Sequence, residues 1–275
     1  MKYTAQSSKY VLKNFIYLFP LAVIPALFLS LSTDKEAIFC ALETVFSGKI
    51  NEFHFSHLFN AISIFNFASP KSVLFGLVGV IFMVICGACI MAMLDKHMRI
   101  GKRTFTGIFS KLNDNLISTC GYVFLLLIIY ELWVLATATL LYIFSRITLV
   151  WLAYTLTAIV FLAMHVLLIY AIGLIYLWLP CMQITGFRAL EALRYSNHLM
   201  APVKWVILAK QLLILLFAEG VLSLCAMFLN GFTTFTIITT VLYAIIIMTY
   251  CTRMMVAYFD REQIERADLR KYGRF

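Results

Sequence analysis

Six long apolar runs constrain this chain more than any other feature. They cover residues 15–32, 72–94, 117–144, 148–180, 205–228 and 233–258. A helix needs about 20 apolar residues to cross a hydrocarbon core of about 30 Å. Lipid offers no partner to backbone N–H and C=O groups, so a spanning segment satisfies them internally, as a helix. The expected fold is therefore all-α: a polytopic membrane protein with six transmembrane helices. Composition agrees, with 63% hydrophobic and 13% charged residues, against about 45–50% and about 25% in soluble domains. No Gly/Ser/Pro-rich linker divides the chain. Residues 1–259 read as one membrane domain and 260–275 as a charged cytoplasmic tail.

The gaps between runs set the topology. Only Ser145–Ile147 separates runs three and four, and only Leu229–Phe232 separates runs five and six, so both pairs must be antiparallel hairpins. Run four is about 50 Å long at 1.5 Å per residue. It must tilt, bend near Gly173, or emerge from the membrane before Pro180. Of the 22 Lys and Arg residues, 18 fall on one side of the six-span arrangement and 4 on the other. The basic side is expected to be cytoplasmic, which puts both termini inside the cell membrane. The formal charge of +9 is explained by these short basic segments. No basic face with interleaved aromatics points to nucleic acid.

The N-terminus imitates a signal peptide, with Lys2, Lys9 and Lys13 before an apolar run, but no convincing small-residue cleavage site follows. An uncleaved first helix is the expectation. The seven cysteines form no disulfide framework. Cys86-Gly-Ala-Cys89 spells CxxC but lies mid-span, where small residues favour close helix approach. Cys40 alone is expected outside.

The loop from Ser32 to Lys71 is rich in Phe, Leu and Ile. Ala37–Phe46 and Phe53–Phe67 are expected to be interfacial or re-entrant helices on the outer face. His54 and His57, with Glu52 nearby, have ligand-like spacing, but histidines among phenylalanines at an interface are usually amphipathic, and no metal is assigned. On the inner side, Phe105, Ile108, Phe109, Leu112 and Leu116 share one helical face, as do Phe187, Leu190 and Leu193. The N-terminal Tyr3–Asn14 segment is a weaker version. The pattern suggests three copies of one unit: an amphipathic cytoplasmic elbow helix, then a hairpin of two spans. In the tail, Arg261/Glu265 and Glu262/Arg266 have i, i+4 spacing, as in a solvated helix continuing span six.

Ionisable residues inside a membrane are costly and mark candidate sites. Glu131 and Glu219 each lie 14 residues into their runs, about 21 Å deep. Two readings are open. The pair lines a polar cavity that binds a proton, a cation or a cationic substrate, or each carboxyl is protonated or satisfied by a neighbouring helix. His165, mid-span in run four, is a third candidate, either as a proton relay or as an interhelical hydrogen-bonding group. No GxSxG, HExxH, P-loop or Gly-rich dinucleotide turn appears, so no catalytic residue and no cofactor is assigned.

The stretch Pro180-Cys-Met-Gln-Ile-Thr-Gly186-Phe-Arg-Ala-Leu-Glu-Ala-Leu-Arg-Tyr-Ser196-Asn-His-Leu199, followed by Lys204-Trp205, resembles the membrane domain of glycerophosphodiester phosphodiesterases. There a span ends at Pro, a Gly opens a short Ala-Leu-x-x-Ser helix, and a basic/aromatic pair precedes the next span. Ala201-Pro202 stands where that pattern has Gly. The family's soluble barrel has no counterpart in these residues. The resemblance therefore implies a membrane fold and carries no hydrolase activity.

The expected role is non-enzymatic and transport-related, or permease-like. The alternative is a structural or accessory membrane protein supporting a partner complex or the lipid environment. The bilayer itself, and a membrane protein partner, are the partners these features suggest. The charge asymmetry predicts that tags at both termini are cytoplasmic and that an impermeant thiol reagent labels Cys40 from outside. A terminus found outside would refute the six-span arrangement.

Overall fold

The computed structural model describes residues 2–101, 108–229 and 231–269. Among these residues there is no strand, and six helices are long and apolar enough to cross a membrane. The protein is a multi-pass membrane protein. Its spans are α2 (Phe15–Ser32), α5 (Pro70–Ile100), α6 (Ile108–Ser145), α7 with α8 (Val150–Ile175 and Trp178–Thr185), α10 (Lys204–Phe228) and α11 (Phe232–Arg261). Between them lie α1 (Lys2–Lys13), α3 (Lys35–Phe46), α4 (Phe55–Ile62) and α9 (Ala189–Met200). Below, the terminal face is the one carrying α1, α9 and the tail, and the loop face carries α3 and α4.

Local chemistry explains several boundaries. Ser69 caps α5 by accepting from the Ser72 N–H at 3.2 Å, and Pro70 occupies the first turn, where its missing N–H costs nothing. Asp34 caps α3 through the Ala37 N–H at 3.0 Å. Span four is interrupted at Tyr176 and Leu177. Pro180 accounts for this break: its ring crowds the carbonyl four residues back, that of Tyr176, and it has no N–H to return. The break falls three residues past Gly173.

Helix α2 occupies the centre, packed between α5 and α11. Small residues permit the approach to α5. A Cβ on Gly79 would lie 2.9 Å from Leu29 Cδ2, and one on Gly76 would lie 2.9 Å from the Ile64 carbonyl oxygen. Cys86, Gly87, Ala88 and Cys89 are all buried along the same helix. Hydroxyls tie α2 to α11, with Ser30 to Thr240 at 2.7 Å and Thr33 to Tyr243 at 3.0 Å. From α5 the bundle continues through α6 to α7, and α10 lies on its edge against α7 and α3.

The segment between α2 and α5 folds over the bundle as the two expected short helices. Arg146 holds it by donating to the Asn51 and Phe53 carbonyls at 3.1 and 3.2 Å while lying 4.6 Å over the Tyr142 ring. Tyr154 donates to the Val45 carbonyl at 2.6 Å, and Lys35 donates to the Leu229 carbonyl.

Three features of the terminal face go beyond what the apolar pattern specifies. The middle elbow is not a separate helix: residues 112–116 run unbroken into α6, while 104–107 lie outside the described residues. In α9 the stripe turned to the bundle is Ala192, Ser196 and Leu199, whereas Phe187 and Leu190 stay exposed. An exposed apolar residue at a bilayer surface has lipid to meet, so apolar periodicity alone does not tell which face is protein-facing. Third, the helix of span six stops at Arg261, so the i, i+4 spacing of the tail is never helical. Gln263 takes φ +56° and the chain folds back. Arg266 then makes a two-pronged contact with Asp268, at 3.1 and 2.7 Å, and reaches Gln6 of α1 at 3.4 Å. Arg261 donates instead to the Leu199 carbonyl at 3.1 Å, at the end of α9. These tertiary bonds outweigh the intrinsic helix preference of the tail.

Close backbone approach makes Gly76 the sharpest packing constraint. Gly76→Ala should lower stability by about 1–3 kcal/mol, because its new methyl meets a backbone oxygen that cannot rotate away. Gly121→Ala, with nothing within 4 Å of its Cβ, should be neutral or slightly stabilising. Thermal unfolding of both variants in one detergent checks the contrast.

Candidate functional site

Three intramembrane ionisable groups were expected from the sequence, and the bundle distributes them into two sites. Glu131 sits on α6, half-buried. Its Oε2 accepts from the Ser63 hydroxyl at 2.8 Å and its Oε1 from the Ile64 N–H at 3.0 Å. Both donors belong to the buried stretch just after α4. The Ile64 carbonyl in turn accepts from Ser32 at the end of α2, at 2.6 Å. Glu131 is thus the anchor by which the loop-face segment is tied into the bundle.

Glu219 on α10 does not join Glu131. It faces His165 on α7, whose Nε2 lies 2.9 Å from both carboxyl oxygens. The imidazole is completely buried, while the Glu219 side chain keeps 31% of its exposure. Aromatic rings box the imidazole, with Phe161 at 4.2 Å and Trp133 edge-on at 5.0 Å between centroids. Trp133 is itself fixed by donating to the Met164 carbonyl at 2.6 Å.

Hydrogen-bond bookkeeping limits the protonation states of this pair. His165 Nδ1 lies 2.7 Å from the Phe161 carbonyl. A carbonyl only accepts, so Nδ1 carries a proton. A further proton must then lie between Nε2 and the carboxyl. The pair is either neutral imidazole with protonated Glu219, or imidazolium with carboxylate. Both forms hold the same number of protons and carry no net charge, which suits an apolar setting. Adding or removing one proton would charge the site.

Tyr130 links the two sites. Its phenol donates to the Ile62 carbonyl at 2.7 Å and lies within electrostatic reach of both Glu131 and Glu219. Tyr243, bonded to Thr33, is likewise within reach of Glu219. Each of the two carboxyls is satisfied by its own partner. Among the described residues no group of three or more His, Cys, Asp or Glu side chains could hold a metal ion, and His54 and His57 lie exposed, with ring centroids 5.7 Å apart.

One buried charge was not singled out from the sequence. Arg253 was assigned to the basic side, yet it is only 4% exposed. Its Nε donates to the Tyr176 hydroxyl at 3.1 Å, and its Nη1 has no hydrogen-bond partner among the described residues. The available signal was its place inside the run 233–258. An Arg near the end of an apolar run ordinarily snorkels to the interface, so its expected place was the cytoplasmic surface.

No protein-family model, curated protein or solved structure matches the chain.

The Glu131 anchor has a direct test. Glu131→Leu leaves the Ile64 N–H without an acceptor, while the Ser63 hydroxyl keeps the Phe65 carbonyl at 3.0 Å, and should destabilise the fold by about 2–3 kcal/mol. Glu131→Gln keeps one acceptor for Ile64 and offers a donor to Ser63, so its loss should stay near about 1 kcal/mol. Thermal unfolding of the two variants separates them, and equal stability of both would remove the anchoring role.

Proposed function

We propose that this protein is a non-enzymatic, transport-related membrane protein that handles protons at the His165–Glu219 pair. It sits in the cell membrane with both termini in the cytoplasm. The observation that carries the reading is the pair itself: a fully buried imidazole with one nitrogen committed to a carbonyl and the other to a half-exposed carboxyl on a neighbouring helix. Such a pair is neutral at rest and becomes charged on gaining or losing one proton, so its protonation is coupled to the contact between α7 and α10. Helix α10 lies at the edge of the bundle, against α7, α3 and α11, and has no close packing with α2 or α5 among the described residues. The absence of any catalytic motif among these residues fits a non-enzymatic role.

The rival reading, a structural or accessory membrane protein, is favoured by Glu131, whose carboxyl is used to hold the loop-face segment in place.

Reconstituted vesicles with an internal pH dye distinguish the two. Under an imposed membrane potential, the wild type should move protons above the level of empty vesicles. Glu219→Gln, which keeps shape and one hydrogen bond to Nε2, should fall to that background with its thermal stability largely intact. His165→Leu should do the same. Wild-type flux equal to empty vesicles, or undiminished flux in both variants, would leave the accessory reading standing.

A further inference from the structure

One charge inside the bundle has no counter-charge. Arg253 of α11 is only 4% exposed, and a guanidinium keeps its positive charge throughout the physiological pH range. Helix α11 has 30 residues, about 45 Å at 1.5 Å per residue, or about 15 Å more than the hydrocarbon core. Shared between its two ends, that excess leaves about 7 Å of helix beyond the apolar layer at the terminal face. Arg253 lies eight residues before the helix end at Arg261, about 12 Å, and so within that layer. All 13 Asp and Glu residues of the chain are among the described residues, and none is paired with Arg253.

The hydrogen-bond inventory around this charge is one-sided. A guanidinium has five N–H donors. In Arg253 the Nε–H is given to the Tyr176 hydroxyl at 3.1 Å, while Nη1 is buried with no hydrogen-bond partner among the described residues. The hydroxyl that accepts from Nε keeps its own proton, and among the described residues it bonds to nothing else. Tyr250 stands edge-on to Tyr176, with ring centroids 5.5 Å apart, and lies within electrostatic reach of Arg253. Its hydroxyl is 2.6 Å from that of Tyr122. One phenol of that pair donates to the other, and the second keeps a proton to give. Donors from α6, from α11 and from the α7–α8 break thus gather around one cation, and among the described residues no carboxylate or carbonyl receives them.

A buried donor or charge left unmet is costly, more so in lipid than in water. A ligand that relieves this cost accepts several hydrogen bonds and carries negative charge. With Nε engaged, the two Nη atoms form the free edge of the fork, whose parallel N–H groups match the two oxygens of a carboxylate. One carboxylate against one guanidinium makes a neutral pair, the form that an apolar setting favours. The rings of Tyr176 and Tyr250 beside the guanidinium suit an apolar remainder.

The geometry points to a binding site at Arg253 for the carboxylate of an organic acid, held by the Nη edge, with the Tyr176 phenol as a further donor. A water-soluble acid and a fatty acid carry the same group, and the experiment below separates them. Tyr176 stands 11 residues past His165, about 16 Å nearer the terminal face. The site is therefore separate from the His165–Glu219 pair. Binding is measured at equilibrium with no proton gradient, so it stands or falls independently of the proposed function.

The test places the full chain in nanodiscs of phosphatidylcholine, a lipid with no net charge, and follows Tm against sodium benzoate in solution, oleate in the bilayer, or phosphatidylglycerol in the bilayer. A carboxylate that binds the folded state should raise Tm with concentration. Benzylammonium, of similar shape and opposite charge, should not. A response to benzoate assigns the site to soluble acids, and a response to oleate alone assigns it to fatty acids. Arg253→Met removes an unpaired buried charge, so without ligand it should be at least as stable as the wild type. Its apparent affinity for the responding acid should fall by about ten- to a hundredfold, the worth of a hydrogen bond to a charged group. Arg253→Lys keeps a charge but loses the fork. It should weaken binding by about tenfold, and it carries the test if Arg253→Met does not fold. No Tm response of the wild type to either carboxylate, a response unchanged by Arg253→Met or Arg253→Lys, or a larger response to phosphatidylglycerol than to both carboxylates would overturn the assignment.

Discussion

A bilayer gives polar groups nothing to bond with, and the rest of this structure follows from that constraint. Backbone groups meet it by forming helices. Side chains and irregular backbone meet it by finding one another across helices. Ser30 finds Thr240, Tyr130 finds the Ile62 carbonyl, and Trp133 finds the Met164 carbonyl. Each such bond contributes only about 0.6 kcal/mol on average in a membrane bundle, so none dominates stability. Their effect is selective. A helix rotated away from its partner would leave the group bare, and the rotation is excluded.

The same constraint separates two glutamates that look alike. Glu131 meets donors only, a hydroxyl and a backbone N–H, and becomes an anchor for the segment over the bundle. Glu219 meets an imidazole whose other nitrogen is committed, and the two must share a proton. An anchor is best when its protonation never changes. A shared proton between two helices, one of them peripheral, is a group whose charge and packing change together. Arg253 is a third case. Its guanidinium is buried with Tyr176 as its bonded partner, and it sits where the α7–α8 break brings that tyrosine against α11.

Polar bonding also governs the terminal face, where water is available. There the chain does not need to pair its charges, yet the tail folds back through Arg266, Asp268 and Gln6, and Arg261 completes the end of α9. Tyr3 donates to Asp260 at 2.7 Å. Helix α1 is thereby joined to the end of α11 and the segment after it on one side of the bundle.

The number of spans, their approximate limits and the short helices over the loop face were legible in the sequence. Those features depend on the composition of a local stretch: enough apolar residues to cross the bilayer, and Phe, Leu and Ile in the segment between Ser32 and Lys71. The partners of Glu131, Glu219, His165 and Arg253 were not legible, nor was the reversal of the tail. A helix that is apolar all round shows no preferred face, so its sequence does not say which way a single polar residue points. Equal depth suggested that Glu131 and Glu219 were a pair. Depth fixes only height along the bundle normal, whereas pairing depends on helix rotation and on which helices are adjacent. Those were decided by close packing at residues such as Gly76 and Gly79, and by polar groups such as Glu131 and His165 finding partners on other segments, and both are properties of the assembled bundle alone.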